Sequence, residues 1–296
     1  MQIPDSFARA AYRRDEKLAK VWLESLPEWL EQLLYDWQLE PDGETIYASL
    51  SIIFPVRQTN RPLVLKFAWP DEASRYEALA LESWRGKGAV KLFAQRADSS
   101  ALLLERLDKS RSLETLFPDQ ALDVAAGLYK RLCIAAPDRL PEQERRVEQM
   151  LPKMKMRWAA LAEPFPKLWL GKAIGLALEL QIPERPVLVN YDLHHGNVLA
   201  SSREPWLVID PKVLKADPEF GIAQLFWYHL ELKDKSLLVQ RLDRFIELCQ
   251  LDKPKAYVWT FIRCLDYWLW ALSVGLTEDP VRCQALSEEL VNKLNK

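Results

Sequence analysis

The second half of this 296-residue chain reads as helix, and one β-patterned island interrupts it: Val187 to Ser201, followed by Trp206 to Asp210. Side chains at the edge of such apolar, strand-like runs project from a rigid support into a cleft. Three polar residues hold that position. They are Asp192, Asn197 five residues later, and Asp210 eighteen residues after Asp192.

The first half has a different texture. Ser6 to Leu39 carries Val21, Trp22, Leu26, Leu30, Leu33, Leu34 and Trp37 at helical spacing, with Pro27 suited to opening a second helix. Pro41-Asp42-Gly43 signals a turn. Thr45 to Val56 and Leu63 to Trp69 read as strands joined by Gln58-Thr59-Asn60. Pro70-Asp71 opens a helix to about Trp84, ended by Gly86 and Gly88. Ala89 to Gln95 and Ala101 to Leu107 form a hairpin around Asp98-Ser99-Ser100. Helices are expected near 112–135, 141–161, 167–181, 219–231, 236–250, 255–275 and 280–295. The expected class is α+β, with a small mixed α/β lobe over 1–106 and a larger helical lobe over 107–296. A connector lies near 105–111, and a cleft between two such lobes is a natural small-molecule site.

Composition removes several classes of function. Lys plus Arg is 40 and Asp plus Glu is 42, a formal charge of −2, so the basic excess of a nucleic-acid binder is missing. Cys133, Cys249, Cys264 and Cys283 have neither zinc-site spacing nor the density of a disulfide framework. Tyr257 to Leu276 is apolar but broken by Arg263 and Asp266, which predicts a buried helix and not a membrane span. Met1 to Lys17 lacks the apolar stretch of a signal peptide, so a soluble, cytoplasmic protein is expected. Twelve Trp residues predict a large core or an aromatic-lined pocket.

Asn and Asp oxygens suit a hard cation such as Mg²⁺, which takes few protein ligands and completes its shell with phosphate and water. Asn197 and Asp210 are then metal ligands, and Asp192 orients a hydroxyl nucleophile and accepts its proton. Any one of the three alone reads as a turn or cap residue; the spacing and the flanking strands make the set. His194 reads as a structural anchor of the loop, and His195 is assigned no role. Upstream, Lys66 sits in an apolar strand and is the candidate for gripping ATP α/β-phosphates. Glu77 and Glu82 are the candidates to position it, and Glu77 is preferred. The segment Leu103-Leu104-Glu105-Arg106-Leu107 fits a hinge whose backbone groups, at Glu105 and Leu107, meet the adenine edge. No Gly lies between Thr45 and Val56, so Ser49 and Ser51 are left to expose backbone N–H groups to phosphate.

These segments resemble the aminoglycoside/hydroxyurea antibiotic resistance kinases, the streptomycin 6-kinase-like branch of the aminoglycoside phosphotransferases. The resemblance rests on Tyr191-Asp192-Leu193-His194-His195-Gly196-Asn197-Val198-Leu199, on Glu204-Pro205-Trp206-Leu207-Val208-Ile209-Asp210-Pro211-Lys212 and on Asp217-Pro218-Glu219-Phe220-Gly221. Trp84 to Leu92 and the Leu103-to-Arg106 hinge extend it, and it spans roughly residues 20–290. It implies a protein-kinase-like two-lobed fold, ATP as donor, Mg²⁺, and transfer of the γ-phosphoryl group to a substrate hydroxyl. It also implies Asp192 as base, Asn197 and Asp210 as metal ligands, and Lys66 as the phosphate-binding lysine. Two departures stand out: Asn190-Tyr191 in place of the His-Gly of many relatives, and Val213 to Ala216 in place of a small, Gly-containing stretch.

A polycationic aminosugar needs acidic and aromatic groups near Asp192. The helical lobe offers Glu231, Asp234, Asp266, Glu278 and Asp279, with Trp227, Trp268 and Trp270. Asp266 stands out because it interrupts an apolar helix beside Trp268 and Trp270; the other role open to each is a solvated acid or a core Trp. The expected partner is a small cationic molecule, with no nucleic acid and no membrane, on a monomer or homodimer. The alternative function is a catalytically silent nucleotide-binding protein of the same fold. A protein kinase fits less well, since no Ala-Pro-Glu closes an activation segment and Asp-Pro-Lys replaces Asp-Phe-Gly.

Overall fold

In the computed structural model, which describes residues 3–48, 51–227 and 235–295, Asp15 divides the first helical stretch into α1 (Asp5–Arg14) and α2 (Glu16–Asp36). Its backbone is extended, and its carboxylate accepts from Leu18 N at 3.0 Å, capping α2. Pro27 therefore does not open a second helix; it lies inside α2. An interior proline costs about 3 kcal/mol. Buried Trp22, Leu23, Leu26 and Leu33, placed on both sides of it, hold the helix together.

The chain divides into two units, Met1–Leu107 and Asp108–Lys296. In the first, an antiparallel sheet runs through β1 (Glu40–Pro41), β2 (Ile46–Tyr47), β3 (Ser51–Gln58), β4 (Arg61–Ala68), β5 (Leu92–Arg96) and β6 (Ala101–Glu105), in the order β1-β3-β4-β6-β5, with β2 on β3. Leu63, Leu65 and Phe67 alternate along β4 and share a core with Ile52, Phe54, Leu103, Trp22, Leu26 and Leu33. Burying each such side chain contributes about 1.5–3 kcal/mol. Period-two alternation puts Lys66 on the opposite face, beside Ile53 and Leu102 on the neighbouring strands. The helix expected from residue 71 is two pieces, α3 (Glu72–Arg75) and α4 (Glu77–Trp84), parted at Tyr76. Asp71 and Ser74 cap α3 reciprocally, and left-handed Arg85, Gly86 and Gly88 follow α4.

The second unit begins with a strand where the connector near 105–111 is expected. β7 (Asp108–Ser112) joins β9 (Val198–Ala200), which pairs with β10 (Trp206–Val208). A 3-10 turn follows, and Pro118 at the first helical position fixes the start of α5 (Pro118–Leu132). Then come α6 (Gln143–Ala160), α7 (Lys167–Glu179) and β8 (Val187–Asn190). β8 pairs antiparallel with β11 (Val213–Ala216), a strand absent from the sequence reading. The chain ends with α8 (Lys235–Cys249), α9 (Lys253–Ser273) and α10 (Glu278–Lys293).

The helix expected over 219–231 is not formed in its described part, which is two 3-10 turns, Pro218–Gly221 and Ala223–Phe226. The reason lies in its anchors. Buried Asp217 accepts from Glu184 N and Arg185 N at 3.2 and 2.7 Å, and buried Glu219 accepts from Arg185 Nη2 and Asp252 N at 2.9 and 2.8 Å. Phe220 packs on Trp259 at 4.8 Å. A Cβ on Gly221 would lie 2.6 Å from the Tyr129 hydroxyl and 2.8 Å from Asn190 O, so only glycine allows this approach to the end of β8. Helix α9 buries thirteen of its 21 residues, including Arg263. Among the described residues no helix is long and apolar enough to cross a membrane.

Candidate active site

The loop after β8 is built around Asn190, which is 2% exposed. Its Oδ1 accepts from Asp192 N at 3.1 Å and from Lys212 N at 3.3 Å, while Tyr191 N donates to Lys212 O at 2.8 Å. One side-chain oxygen thus bends the loop and ties it to the segment after Asp210. Among the described residues its buried Nδ2 has no hydrogen-bond partner. Asn197 closes the turn: its Nδ2 donates to Asp192 O at 3.1 Å, and its carbonyl accepts from Ile209 N at 2.9 Å. That last bond extends the β9–β10 pairing and places Asp210 one residue beyond it. Asp210 has φ +48°, a left-handed conformation that costs a non-glycine residue about 1–3 kcal/mol and is often kept at functional positions.

The charges here are coupled. Lys212 Nζ lies 2.5 Å from Asp192 Oδ2. Burial disfavours the ammonium, but the Asp192 and Asp210 carboxylates outweigh it and hold the Lys212 pKa above its usual value. Burial lowers the pKa of His194 against the opposing pull of Asp192 and Asp210. Beneath the loop, the buried Arg263 guanidinium lies 5.4 Å from the Tyr191 ring and 5.0 Å from the Phe220 ring, and donates to Tyr191 O at 3.3 Å. The Arg146 guanidinium also lies over the Tyr191 ring, 5.5 Å from its centroid.

The donors suit a hard divalent cation. Because Nδ2 of Asn197 is engaged by Asp192 O, its Oδ1 is the atom left for a ligand. With the Asp210 carboxylate this is an all-oxygen pair, the kind Mg²⁺ accepts when phosphate and water complete its shell. Among the described residues no three His, Cys, Asp or Glu side chains form a metal cluster.

In the first unit, Lys66 Nζ meets both Glu77 oxygens at 2.8 and 2.7 Å, and both residues are buried. Glu77 opens α4, while exposed Glu82 accepts from Gln95 instead. Glu105 and Lys91 bond twice, Glu105 N to Lys91 O at 3.0 Å and Lys91 N to Glu105 Oε2 at 3.1 Å. Arg106 holds Asp42 through its carboxylate and its carbonyl, and the Arg106 bond draws the Asp42 pKa down. Leu107, half-buried, ends the unit. Ser51 starts β3, and Ser49 lies outside the described residues.

Of the substrate candidates, Glu231 and Asp234 lie outside the described residues. Asp266 is only 15% exposed at its side chain and sits 3.8 Å from Arg157. Trp270 is 40% exposed and lies 5.3 Å from the Tyr267 ring, which stacks on buried Trp227 at 4.6 Å. Trp268 is buried against Phe165, and Glu278 and Asp279 both pair with Arg282. The sequence assigns no role to Lys212 or Arg263. Lys212 follows Asp-Pro in a motif already singled out, which is the available signal; Arg263 is visible only as a charge interrupting an apolar helix.

A family model described as aminoglycoside/hydroxyurea antibiotic resistance kinase matches residues 36–275. The chain is 34% identical to a streptomycin 6-kinase of Streptomyces glaucescens, covering 93% of this chain and 92% of that protein. It is 30% identical to a hydroxyurea phosphotransferase of Kitasatospora aureofaciens, covering 99% and 87%. Among solved structures it is similar to a thermostable mutant of the aminoglycoside phosphotransferase APH(4)-Ia in complex with ADP and hygromycin B (TM-score 0.59, 14% identity, covering 88% and 97%). It is equally similar to the choline kinase LicA of Streptococcus pneumoniae (TM-score 0.59, 14% identity, covering 91% and 99%). At that identity these two establish the fold, which is protein-kinase-like.

Proposed function

For a chain that belongs to the aminoglycoside/hydroxyurea antibiotic resistance kinase family and is a small-molecule phosphotransferase, we propose ATP as donor, Mg²⁺ as its companion ion, and a cationic aminoglycoside such as streptomycin, or a related metabolite, as acceptor. The observation that carries the chemistry is the loop itself. Asn190 bonds Asp192 N, Asn197 bonds Asp192 O, and Ile209 bonds Asn197, so one short backbone network supports base and metal ligands together. The observation that carries the acceptor is the 34% identity to a streptomycin 6-kinase over nearly the whole chain.

Asp192 accepts the proton of the acceptor hydroxyl as its oxygen bonds to the γ-phosphorus, and the bond from that phosphorus to the β-γ bridging oxygen breaks to release ADP. Asn197 Oδ1 and Asp210 would hold the divalent ion, which would offset phosphate charge. Lys66, fixed by Glu77, is assigned to the α- and β-phosphates, and the backbone at Glu105 and Leu107 to the adenine edge. Asp266 and Trp270, with Glu231 and Asp234, are assigned to the acceptor. Asp266 shares its charge with Arg157, so its contribution to a guanidinium or ammonium group is reduced.

The test is label transfer from γ-labelled ATP across streptomycin, other aminoglycosides, hydroxyurea and aminosugar metabolites. Label is expected on a hydroxyl of a cationic acceptor, dependent on Mg²⁺. ATP binding without transfer to any of them would replace this reading with that of a silent nucleotide-binding protein.

A further inference from the structure

We propose that Lys212 is a positioning residue for Asp192, its ammonium holding carboxylate oxygen Oδ2 so that Oδ1 remains the proton acceptor. This rests on the reading of Asp192 as the base. Three observations support it. Lys212 Nζ is 2.5 Å from Asp192 Oδ2. The Lys212 backbone is fixed to the same loop from both sides, its N–H on Asn190 Oδ1 at 3.3 Å and its carbonyl on Tyr191 N at 2.8 Å. The next residue, Val213, enters β11 opposite Asn190, so the side chain springs from a rigid root.

An aspartate without such a partner rotates about two side-chain bonds. A general base must stay within hydrogen-bond reach of the proton it takes. Charge-assisted N–H···O contact to one oxygen removes that freedom and still leaves the other oxygen its lone pairs. Exposed lysine–carboxylate pairs contribute little to stability. Here the Asp192 side chain is 11% exposed and that of Lys212 42%, so the contact's role is geometric more than stabilising.

A lysine that instead gripped the nucleotide would change KM for ATP; a positioning lysine changes kcat. Lys212→Met is expected to lower kcat about 30- to 100-fold, within the range of general-base catalysis, with KM for ATP within about twofold of wild type. Lys212→Arg, which keeps charge and donors, is expected to recover most of that loss. In an Asp192→Asn background, Lys212→Met should lower the residual rate no further, because its effect runs through the carboxylate. The melting-temperature shift produced by Mg²⁺ and a non-hydrolysable ATP analogue, retained in each variant, shows that the fold and nucleotide binding survive. A kcat for Lys212→Met within threefold of wild type, a rise in KM for ATP in place of a fall in kcat, or a further loss in the Asp192→Asn background would overturn the proposal. Full turnover by Asp192→Asn alone would instead remove the base on which it rests.

Discussion

Asp192→Asn is expected to lower kcat about 10³-fold while leaving KM for ATP close to wild type. The substitution is nearly isosteric, and the two bonds that shape the loop, to Asn190 Oδ1 and from Asn197 Nδ2, use the backbone of residue 192 and persist. What disappears is the basic oxygen. An amide cannot accept the acceptor hydroxyl's proton, and it no longer carries charge toward Lys212. Steady-state kinetics with the acceptor that takes label, together with the nucleotide-induced shift in melting temperature, separates lost chemistry from lost binding. Retained turnover would mean that another group takes the proton.

The second large effect concerns the Lys66–Glu77 pair. Both side chains are at most 6% exposed, so removing one charge takes from the other a 2.7 Å ion-pair contact in a poorly solvated site. Glu77→Ala is expected to destabilise the protein by about 3–5 kcal/mol. Replacing both partners by apolar residues of similar size, Lys66→Met with Glu77→Leu, should regain most of that stability, since neither charge is then left uncompensated. Activity should not return with it. The double variant lacks the proposed phosphate-binding ammonium, and its kcat/KM for ATP is expected to stay about 100-fold or more below wild type. Urea denaturation and ATP titration of the two variants check this. A stable double variant with normal ATP kinetics would reduce the pair to a structural one.

Much of this architecture is legible in the residues. The apolar alternation around Lys66 marks a strand, and the island at 187–210 marks short strands within a helical body. The misreadings have physical causes. β7 is Asp-Lys-Ser-Arg-Ser, exposed over four of its five residues, and its strand character comes from pairing with β9 and not from its own pattern. β11 is four residues long and carries a lysine, too short for periodicity to decide. Pro27 is a strong local breaker, but Asp15 holds the cap and the flanking apolar face holds the helix together, so tertiary packing overrides the local signal.

The candidate site follows the same division. Spacing and the flanking strands together bring Asp192, Asn197 and Asp210 to notice. The role of Asn190 is half legible: it occupies the place of a histidine and does its loop-shaping work through one amide oxygen accepting two backbone N–H groups. Lys212 and Arg263 depend on contacts between segments 20 and 72 residues from their partners, Asp192 and Tyr191, and no local pattern encodes such contacts.

The most direct measurement is the affinity of Mn²⁺, as a spectroscopic stand-in for Mg²⁺, for the protein bound to a non-hydrolysable ATP analogue, followed by electron paramagnetic resonance. Asn197→Ala and Asp210→Asn are each expected to weaken that affinity by about tenfold or more, a loss of about 1.4 kcal/mol, with Asp192→Asn near wild type. Wild-type Mn²⁺ affinity in both ligand variants would contradict a shared metal–phosphate centre at these residues.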